Sequence, residues 1–346
     1  MRAFITGGAG FIGSHLADAL LDRGHQVVIL DDLSTGAIDN LADLVGRPGF
    51  NYTIGSALDE KLVGELMDGC DLTFHLAAAV GVRLVVASPV HTIQTNVHGT
   101  ETVLRHAARQ RKLVVVASTS EVYGKSTVFP FREDADLVLG PPTKTRWGYA
   151  ASKLIDEFLA LAYWQEHQVP VIVVRFFNTV GPRQSERYGM VIPNFVRRAL
   201  EGQPLIVHGF GSQTRSFTWV GDVVSALLAL VNEPRAVGEV FNIGNGAEVS
   251  ILELAEKIRA RTYSDSPIHF KAYHEVFGQN FEDMARRVPD ISKIQRLVGY
   301  QPTVQLDEII ERVIEFWEPH STVAVSPRAS SPIANSSVPE LLTAAE

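Results

Sequence analysis

The chain has 346 residues, 46% of them hydrophobic, so it can bury one large α/β core with an added lobe, or two modest cores. Its formal net charge of −8 argues against a nucleic-acid surface, and no apolar run reaches the roughly 18 residues of a membrane span. The single cysteine, Cys70, excludes an intrachain disulfide and suits a reducing cytoplasm. Because Met1-Arg2-Ala3 leads directly into a strand pattern, we expect no signal peptide.

The first predicted elements are a strand, a glycine-rich loop and a helix. The strand Ala3–Thr6 leads into Gly7-Gly8-Ala9-Gly10-Phe11-Ile12-Gly13, and Leu16, Leu20 and Leu21 follow at helical spacing. Glycines at such a turn let the backbone approach a pyrophosphate, while the free N–H groups of the first helical turn face the anion. The pattern therefore predicts a dinucleotide site.

The second strand indicates which dinucleotide is bound. The strand Val27–Asp31 ends in Asp31-Asp32, and Asp31 lies 18 residues past Gly13. A carboxylate at this place can accept hydrogen bonds from both ribose hydroxyls of the adenosine half, and it would repel a 2′-phosphate. The sequence therefore favours NAD over NADP.

Short β-branched runs alternate with helical patterns through the first half of the chain. The further strands are predicted at Asn51–Ile54, Leu72–Leu76, Leu113–Ser118 and Val171–Phe176, and the long helices at Asn96–Arg109 and Tyr149–His167. Alternation with nearly continuous apolar strands predicts an α/β fold built on a doubly wound parallel sheet.

The pattern changes after Phe176. Helices are predicted at Ile192–Leu200, Asp222–Val231, Ile251–Ala260 and Leu306–Trp317, with strands at Pro204–His208 and Val240–Ile243. We expect residues 1–176 plus about 214–245 to form the cofactor domain, and 177–213 plus about 246–318 to form a smaller mixed α/β substrate lobe. Residues 319–346, which are rich in Ser, Pro and Ala, are predicted to be a disordered tail.

Two polar groups carry the chemistry. Tyr149 and Lys153 are four residues apart and share a helix face, where an ammonium can lower the phenol pKa and make the tyrosine a general base. Thr119, Ser120 and Glu121 directly follow a buried strand, and ligands bind at the carboxyl ends of strands in such sheets. We expect these hydroxyls and the carboxylate to face the substrate.

Together these motifs resemble the extended short-chain dehydrogenase/reductase family that acts on nucleotide sugars. The matching segments are the loop Gly7–Gly13, His75-Leu76-Ala77-Ala78, Asn96, the Thr119 cluster, Tyr149/Lys153, Phe177-Asn178 and Arg215-Ser216-Phe217. The resemblance implies a Rossmann-type domain and an NAD that is reduced and reoxidised within one catalytic cycle. It implies cofactor contacts from Gly7, Gly10, Phe11, Ile12, Gly13, Asp31, Asp32, Ser56, Leu76, Ala77, Ala78, Asn96, Tyr149 and Lys153.

The family also implies roles at the substrate. Tyr149 takes the proton of the sugar 4-hydroxyl, Thr119 assists, and the resulting 4-ketone determines the outcome. Substrate contacts are expected from Arg83, Asn178, Val207, Arg215 and Arg287, and Arg215 is also expected near the reacting centre as an acid. Ser56 departs from the pattern, since the family commonly has Asp there.

The residues after Thr119 bear on the reaction. Thr119-Ser120-Glu121 is similar to the UDP-glucuronate decarboxylases, as are Leu139–Trp147 and the stretch from Phe277 to Asp290. Gly81-Val82-Arg83 instead resembles the UDP-glucuronate 4-epimerases, so a UDP-sugar 4-epimerase is the alternative. A 4,6-dehydratase, which usually carries Asp-Glu after the threonine, and a non-catalytic NAD sensor are further alternatives.

The remaining expectations concern metals and assembly. His15, His75 and His91 lack metal-ligand spacing, so no metal site is predicted. Members of the family usually dimerise through two helices per subunit, which implies a homodimer through Asn96–Arg109 and Tyr149–His167. A UDP-sugar is the expected substrate, with no nucleic-acid or membrane partner.

Overall fold

The computed structural model describes residues 1–187, 189–277 and 282–318, apart from the side chains of Arg83 and Phe277. The predicted tail, residues 319–346, lies outside the described residues. The strands are β1 (Arg2–Thr6), β2 (Gln26–Asp31), β3 (Phe50–Ile54), β4 (Leu72–His75), β5 (Leu113–Thr119), β6 (Val171–Phe176), β7 (Thr179–Val180), β8 (Leu205–His208), β9 (Thr214–Ser216), β10 (Thr218–Trp219), β11 (Glu239–Ile243), β12 (Glu248–Ser250), β13 (Ile268–Lys271) and β14 (Arg286–Arg287).

The helices are α1 (Phe11–Asp22), α2 (Glu60–Asp68), α3 (Val82–Ala87), α4 (Pro89–Gln110), α5 (Arg146–His167), α6 (Val191–Leu200), α7 (Val220–Leu230), α8 (Ile251–Arg261), α9 (Tyr273–Phe277), α10 (Ser292–Val298) and α11 (Leu306–Trp317). Short 3₁₀ turns lie at Ile38–Leu41, Ser120–Tyr123 and Pro234–Ala236. Each strand and helix predicted from the sequence is present, and most ends differ by one to three residues, but α4 begins at Pro89, seven residues before the predicted start at Asn96.

The main sheet has seven parallel strands in the order β11-β6-β5-β4-β1-β2-β3. The order reverses direction between β1 and β4, which is the switch point where ligands bind in open α/β sheets. The predicted doubly wound parallel sheet is confirmed.

Two apolar cores cover the faces of this sheet. On one face, Ile5 and Ile29 pack with residues of α1, α7 and α10. On the other face, Phe4 and Val116 pack with residues of α2, α4 and α5. Helices on both faces explain why these strands read as almost continuous apolar runs. The arrangement leaves the carboxyl edge of the strands as the place where polar side chains gather.

A separate core forms the smaller lobe. Helices α6, α8 and α11 enclose Ile192, Leu254 and Ile310, which are fully buried, beside β8. The short sheets of this lobe are β12-β9-β14 and β13-β8. We propose a division that assigns β9 to this lobe and α10 to the larger domain, because β9 pairs with β12 and β14, whereas Ile294 of α10 packs in a core of the main sheet.

Candidate active site

One cavity of about 590 Å³ runs along the carboxyl edge of the main sheet and opens between the two lobes. This volume falls within the range of ligand pockets in proteins. It is lined by residues at or just past the ends of five parallel strands, namely Gly7 after β1, Asp31 in β2, Leu76 after β4, Thr119 in β5 and Asn178 after β6. The smaller lobe closes it with His208, Arg215, Tyr273, Asp283 and Arg287.

The glycine loop at the start of α1 forms a cradle of bare backbone. Gly7 has a φ of +73°, and a Cβ there would lie 2.7 Å from the backbone nitrogen of Ala77. A Cβ on Gly13 would collide with the carbonyl oxygen of Gly7. No side chain caps α1, which begins after Gly10, so its first N–H groups are available to an anion. These features fit the pyrophosphate of a dinucleotide.

Asp31 is buried at the cavity wall and ties the loop to β2. Its carboxylate accepts hydrogen bonds from the N–H groups of Ala9 and Leu33, over 2.9 and 2.8 Å. Burial raises its pKa, and the neighbouring Asp32 adds to that rise. Asp32 is more exposed and accepts from the N–H of Ser34. A carboxylate that already faces two donors has remaining lone pairs for ribose hydroxyls.

The floor of the cavity is the loop after β4. Its Leu76, Ala77 and Ala78 line the cavity, and the N–H of Ala79 donates to the side chain of Asn96 over 2.8 Å. Asn96 does not line the cavity among the described residues. It lies behind the loop in α4 and fixes the loop's position, so we propose a supporting role rather than a direct cofactor contact.

Tyr149 and Thr119 are in contact beside the cavity. The Thr119 side chain acts to lower the pKa of the Tyr149 phenol, and its hydroxyl accepts a hydrogen bond from the N–H of Glu121 over 3.3 Å. Burial raises the pKa of Tyr149, and Glu121 raises it further. The sequence predicts that Lys153 lowers this pKa, whereas burial is the largest influence in the folded chain and raises it, and the Lys153 ammonium is paired with Asp156 over 2.6 Å.

Charged side chains from both lobes form a cluster next to Tyr149. Glu121 pairs with Arg146 over 3.2 Å and with Arg287 over 3.5 Å. Asp283 pairs with Arg146 over 2.9 Å and with Arg215 over 3.0 Å, and the hydroxyl of Tyr273 donates to it over 2.8 Å. We call Glu121, Arg146, Arg215, Asp283 and Arg287 the arginine cluster. Its three guanidiniums face two carboxylates, which leaves one net positive charge.

The three arginines of the cluster are buried, so water screens the excess positive charge of the cluster only weakly. Although burial favours neutral Asp283, the neighbouring Arg146, Arg215 and Arg287 hold its pKa at about 2. Burial, assisted by Arg215 and Arg146, lowers the pKa of Arg287 to about 10. Arg287 also donates to the side-chain oxygen of Asn178 over 3.3 Å. The cluster is therefore an electropositive recess that would bind an added anionic group.

The structure brings most of the predicted residues to one cavity, with three exceptions. Val207 is fully buried in the core of the smaller lobe, and its neighbours Ile206 and His208 line the cavity instead. This corrects the predicted substrate contact, because alternate residues of β8 face opposite sides. Asn96 lies behind the loop, and the side chain of Arg83 lies outside what the structure describes. Ser120 and Ser56 both line the cavity.

Arg146, Tyr273 and Asp283 are site residues to which the sequence patterns assigned no role, although Arg146 and Asp283 lie in the two stretches that resemble the decarboxylases. Arg146 lies three residues before Tyr149 on α5, so helical spacing could have placed it on the same face. Tyr273 and Asp283 lie in the smaller lobe, more than 120 residues away from Tyr149 in the sequence. Only the folded chain brings them to the cavity.

The described residues also bear on metal binding and on membrane insertion. In the described ranges, no group of three or more His, Cys, Asp or Glu side chains is arranged to hold a metal ion. Within the same part of the chain, no helix combines the length and apolar character that crossing a bilayer requires.

A family model described as the NAD dependent epimerase/dehydratase family matches residues 3–244. A UDP-N-acetyl-alpha-D-glucosaminuronate decarboxylase of Bacillus cytotoxicus is 41% identical over 318 residues, which cover 91% of this chain and 97% of that protein. UDP-glucuronic acid decarboxylase 1 of Danio rerio is 36% identical, with 91% of this chain and 72% of the relative covered. The chain belongs to the NAD dependent epimerase/dehydratase family.

A solved structure agrees with this assignment. The UDP-glucuronic acid 4-epimerase of Bacillus cereus, solved with UDP-glucuronic acid and NAD, has a TM-score of 0.83 and 28% identity, with 92% of this chain and all of that chain covered. The present chain is accordingly an NAD-dependent enzyme with a Rossmann-type domain. The glycine cradle and the Asp31 carboxylate fit that cofactor.

Proposed function

We propose that this enzyme decarboxylates a UDP-hexuronate, most simply UDP-glucuronate, through a transient 4-keto sugar. The observation that carries the proposal is the arginine cluster, in which a buried recess with one net positive charge lies next to Tyr149. A sugar with a carboxylate at C6 would supply the missing negative charge. Two decarboxylases of UDP-hexuronates among the relatives support this reading.

The first step is oxidation at C4. Bound NAD would supply the hydride acceptor. Tyr149 would take the proton of the 4-hydroxyl as the general base, and the neighbouring Thr119 hydroxyl would hold the sugar hydroxyl and the phenol in line. Lys153, which lines the cavity four residues after Tyr149 on α5, would hold the ribose beside the nicotinamide.

The second step takes place at C5 and C6. A ketone at C4 makes the sugar a β-keto acid, so the C5–C6 bond breaks, CO₂ leaves, and the bonding electron pair remains on the sugar as an enolate. That enolate then takes up a proton at C5. Return of the hydride from the cofactor to C4, and of the proton from Tyr149 to the C4 oxygen, would restore the hydroxyl and close the cycle. We propose Arg287 rather than Arg215 as the proton donor, because Arg287 contacts Glu121 and has a lowered pKa, whereas Arg215 is paired with Asp283.

Ser120 and Glu121 would orient the carboxylate for this step. The Ser120 hydroxyl is buried and has no hydrogen-bond partner within the described part of the chain, and it lines the cavity. Glu121 fixes the planes of Arg146 and Arg287 through its two ion pairs. A preorganised set of this kind favours charge movement without reorganising solvent.

One assay distinguishes decarboxylation from 4-epimerisation. The purified enzyme with NAD is given UDP-glucuronate, UDP-N-acetylglucosaminuronate and UDP-glucose separately, and released CO₂ and the sugar products are measured. CO₂ from either uronate supports the proposal. Formation of UDP-galacturonate without CO₂ would replace it with a 4-epimerase, and inactivity towards all three sugars would remove the UDP-sugar assignment.

We also propose that the enzyme is a cytoplasmic homodimer. Helices α4 and α5 pack side by side and expose large apolar side chains, of which Val90 is 67% and Phe158 is 68% exposed. Ile93 and Ile155 on the same two helices are also exposed, to a smaller extent. A second copy of the same surface would cover them in a four-helix interface. The single cysteine, Cys70, is buried and unpaired, which suits a reducing compartment.

A further inference from the structure

Lys153 has a buried partner that the proposed chemistry does not use. Its ammonium donates a hydrogen bond to the Asp156 carboxylate over 2.6 Å, and Lys153 is 2% exposed while Asp156 is fully buried. The two residues are three positions apart, so they share a face of α5. Lys153 lines the cavity, whereas Asp156 lies behind it. The Lys153 ammonium therefore lies at the cavity while the buried Asp156 carboxylate behind it holds it in place.

Two polar contacts at the same helical spacing connect α5 with α4. Asn96 donates to the Ser152 hydroxyl over 3.0 Å, and four residues later on both helices the Thr100 side chain faces Asp156. Asn96 also accepts from the N–H of Ala79 in the loop below the cavity. Through Asn96, the first contact thus connects α5 to the loop after β4, which forms the floor of the cavity.

The second contact reaches the same loop by a longer route. The Thr100 hydroxyl contacts Nε2 of His75 over 3.1 Å, and Nδ1 of that ring contacts the Thr6 hydroxyl over 2.8 Å. The Thr6 hydroxyl in turn accepts from the N–H of Ala77 over 3.3 Å. Thr100, which faces Asp156, is thus the first member of a hydrogen-bonded chain that runs through His75 and Thr6 to the floor of the cavity.

We propose that Asp156 is a positioning residue that holds the Lys153 ammonium in place and offsets its charge at Tyr149, so that Asp156 sets the pH range in which Tyr149 works as the base. This inference rests on the proposed function. Titratable and charged groups face Tyr149 from several elements, namely Glu121, Lys153, Asp156 and Arg287, together with the Thr119 hydroxyl. Asp156 faces Lys153 and Glu157 on its own helix, Thr100 on α4, and His75 through Thr100.

The charges predict the direction of the effect. Asp156 and Glu121 raise the pKa of Tyr149, and Arg287 lowers it. When the negative charge of Asp156 is removed, the ammonium of Lys153 is no longer balanced and favours the phenolate. The base form of Tyr149 then persists to lower pH.

The first experiment is the pH profile of kcat/KM for CO₂ release in the enzyme with NAD. In Asp156→Asn, the acid limb should move to lower pH by about one unit, since a charge at close range shifts a pKa by that order. The matched control is Glu166→Gln, the same change of charge at an exposed position of α5, which should leave the limb in place. An Asp156→Asn profile that superimposes on the parent profile would overturn the proposal.

The second experiment needs neither turnover nor a stable Asp156→Asn variant. Difference absorbance between each protein and its Tyr149→Phe counterpart isolates the titration of this phenol. Lys153→Met should titrate at higher pH than the parent, and Lys153→Met/Asp156→Leu should return towards the parent, because the double change removes both charges. Equal titration of the single and double variants would contradict the proposal. An inactive parent would reject the proposed function, and this titration would still decide the role of Asp156.

Discussion

Tyr149 lies in surroundings that oppose the loss of its phenol proton. Burial raises its pKa, the Glu121 carboxylate raises it further, and the Thr119 hydroxyl and Arg287 act in the opposite direction. A base in such a place works only when positive charge accumulates beside it. The Arg287 guanidinium and the Lys153 ammonium are sources of positive charge in the chain, and bound NAD would add its own.

Replacing Tyr149 tests this role directly. Tyr149→Phe should lower kcat for the sugar reaction by about 10²- to 10⁴-fold, the range for loss of a general base, while NAD stays bound. Turnover and retained cofactor are measured on the same purified sample. Tyr163→Phe on the same helix is the control, and it should keep parental activity. Near-parental turnover in Tyr149→Phe would show that another group removes the proton.

Arg287 offers a second test at the level of a single side chain. Arg287→Gln should slow CO₂ release by about 10²-fold or more, because the recess loses a charge and the enolate loses its proton donor. The adjacent Arg286 is the control, since it lies outward and pairs with Glu248. Arg286→Gln should therefore retain activity. Equal activities of the two variants would remove Arg287 from the reaction.

Residues in local patterns were predictable, whereas residues in long-range pairs were not. Tyr149 and Lys153 share a helix face, and the glycine loop lies at a strand end, so short stretches of sequence indicate them. The contact of Arg146 with Asp283 joins positions 137 residues apart, as counted along the chain. Nothing near either residue indicates its partner.

At the level of whole elements, β1, β4 and α4 are joined by the buried ring of His75. The ring contacts Thr6 on one side and Thr100 on the other, and burial lowers its pKa to about 3. The unfolded chain binds a proton near pH 6.5 while the folded chain does not. The stability contributed by neutral His75 is therefore complete above about pH 6.5 and is lost as the pH falls towards 3.

Substituting His75 should flatten this pH dependence. In the parent, the free energy of unfolding should fall by up to about 1.4 kcal/mol per pH unit within that window through this group. His75→Gln should be less stable at neutral pH and show a smaller decline towards acid. Urea unfolding at several pH values measures both quantities, with the exposed His98→Gln as control. Parallel declines in His75→Gln and the parent would assign the acid sensitivity to other groups.

The long elements were predictable because packing on the sheet imposes a strong apolar pattern. Helix α11 was predicted with the observed bounds, and β6 likewise. The pairs β7–β10 and β9–β14 contain only two or three residues per strand, too short to show an alternating pattern. Their backbones pair because the larger elements bring them together.

At the level of the whole molecule, the site is built from residues of both lobes. The proposed dimer uses a single surface of the larger domain. The arginine cluster takes Glu121 and Arg146 from the larger domain and Arg215, Asp283 and Arg287 from the smaller lobe. The proposed dimer surface lies elsewhere, on exposed positions of α4 and α5. Assembly and chemistry can therefore be disturbed separately.

A charge placed on the proposed interface should separate the subunits. Phe158→Glu buries a carboxylate against apolar side chains of the second copy, so the variant should sediment as a monomer at concentrations where the parent is a dimer. Phe210→Glu is the matched control, because Phe210 is 90% exposed on the smaller lobe. It should leave the sedimentation of the parent unchanged. A dimeric Phe158→Glu variant would place the interface on another surface.

The shared carboxylates also limit how this enzyme can be recombined with its relatives. Asp283 in the smaller lobe binds Arg146 of the larger domain, and Glu121 of the larger domain binds Arg287 of the smaller lobe. A chimera that receives the smaller lobe of another family member would keep Arg146 and Glu121 but face them with foreign partners. Exchange of substrate preference by grafting the lobe alone should therefore fail unless positions 121 and 146 are exchanged with it.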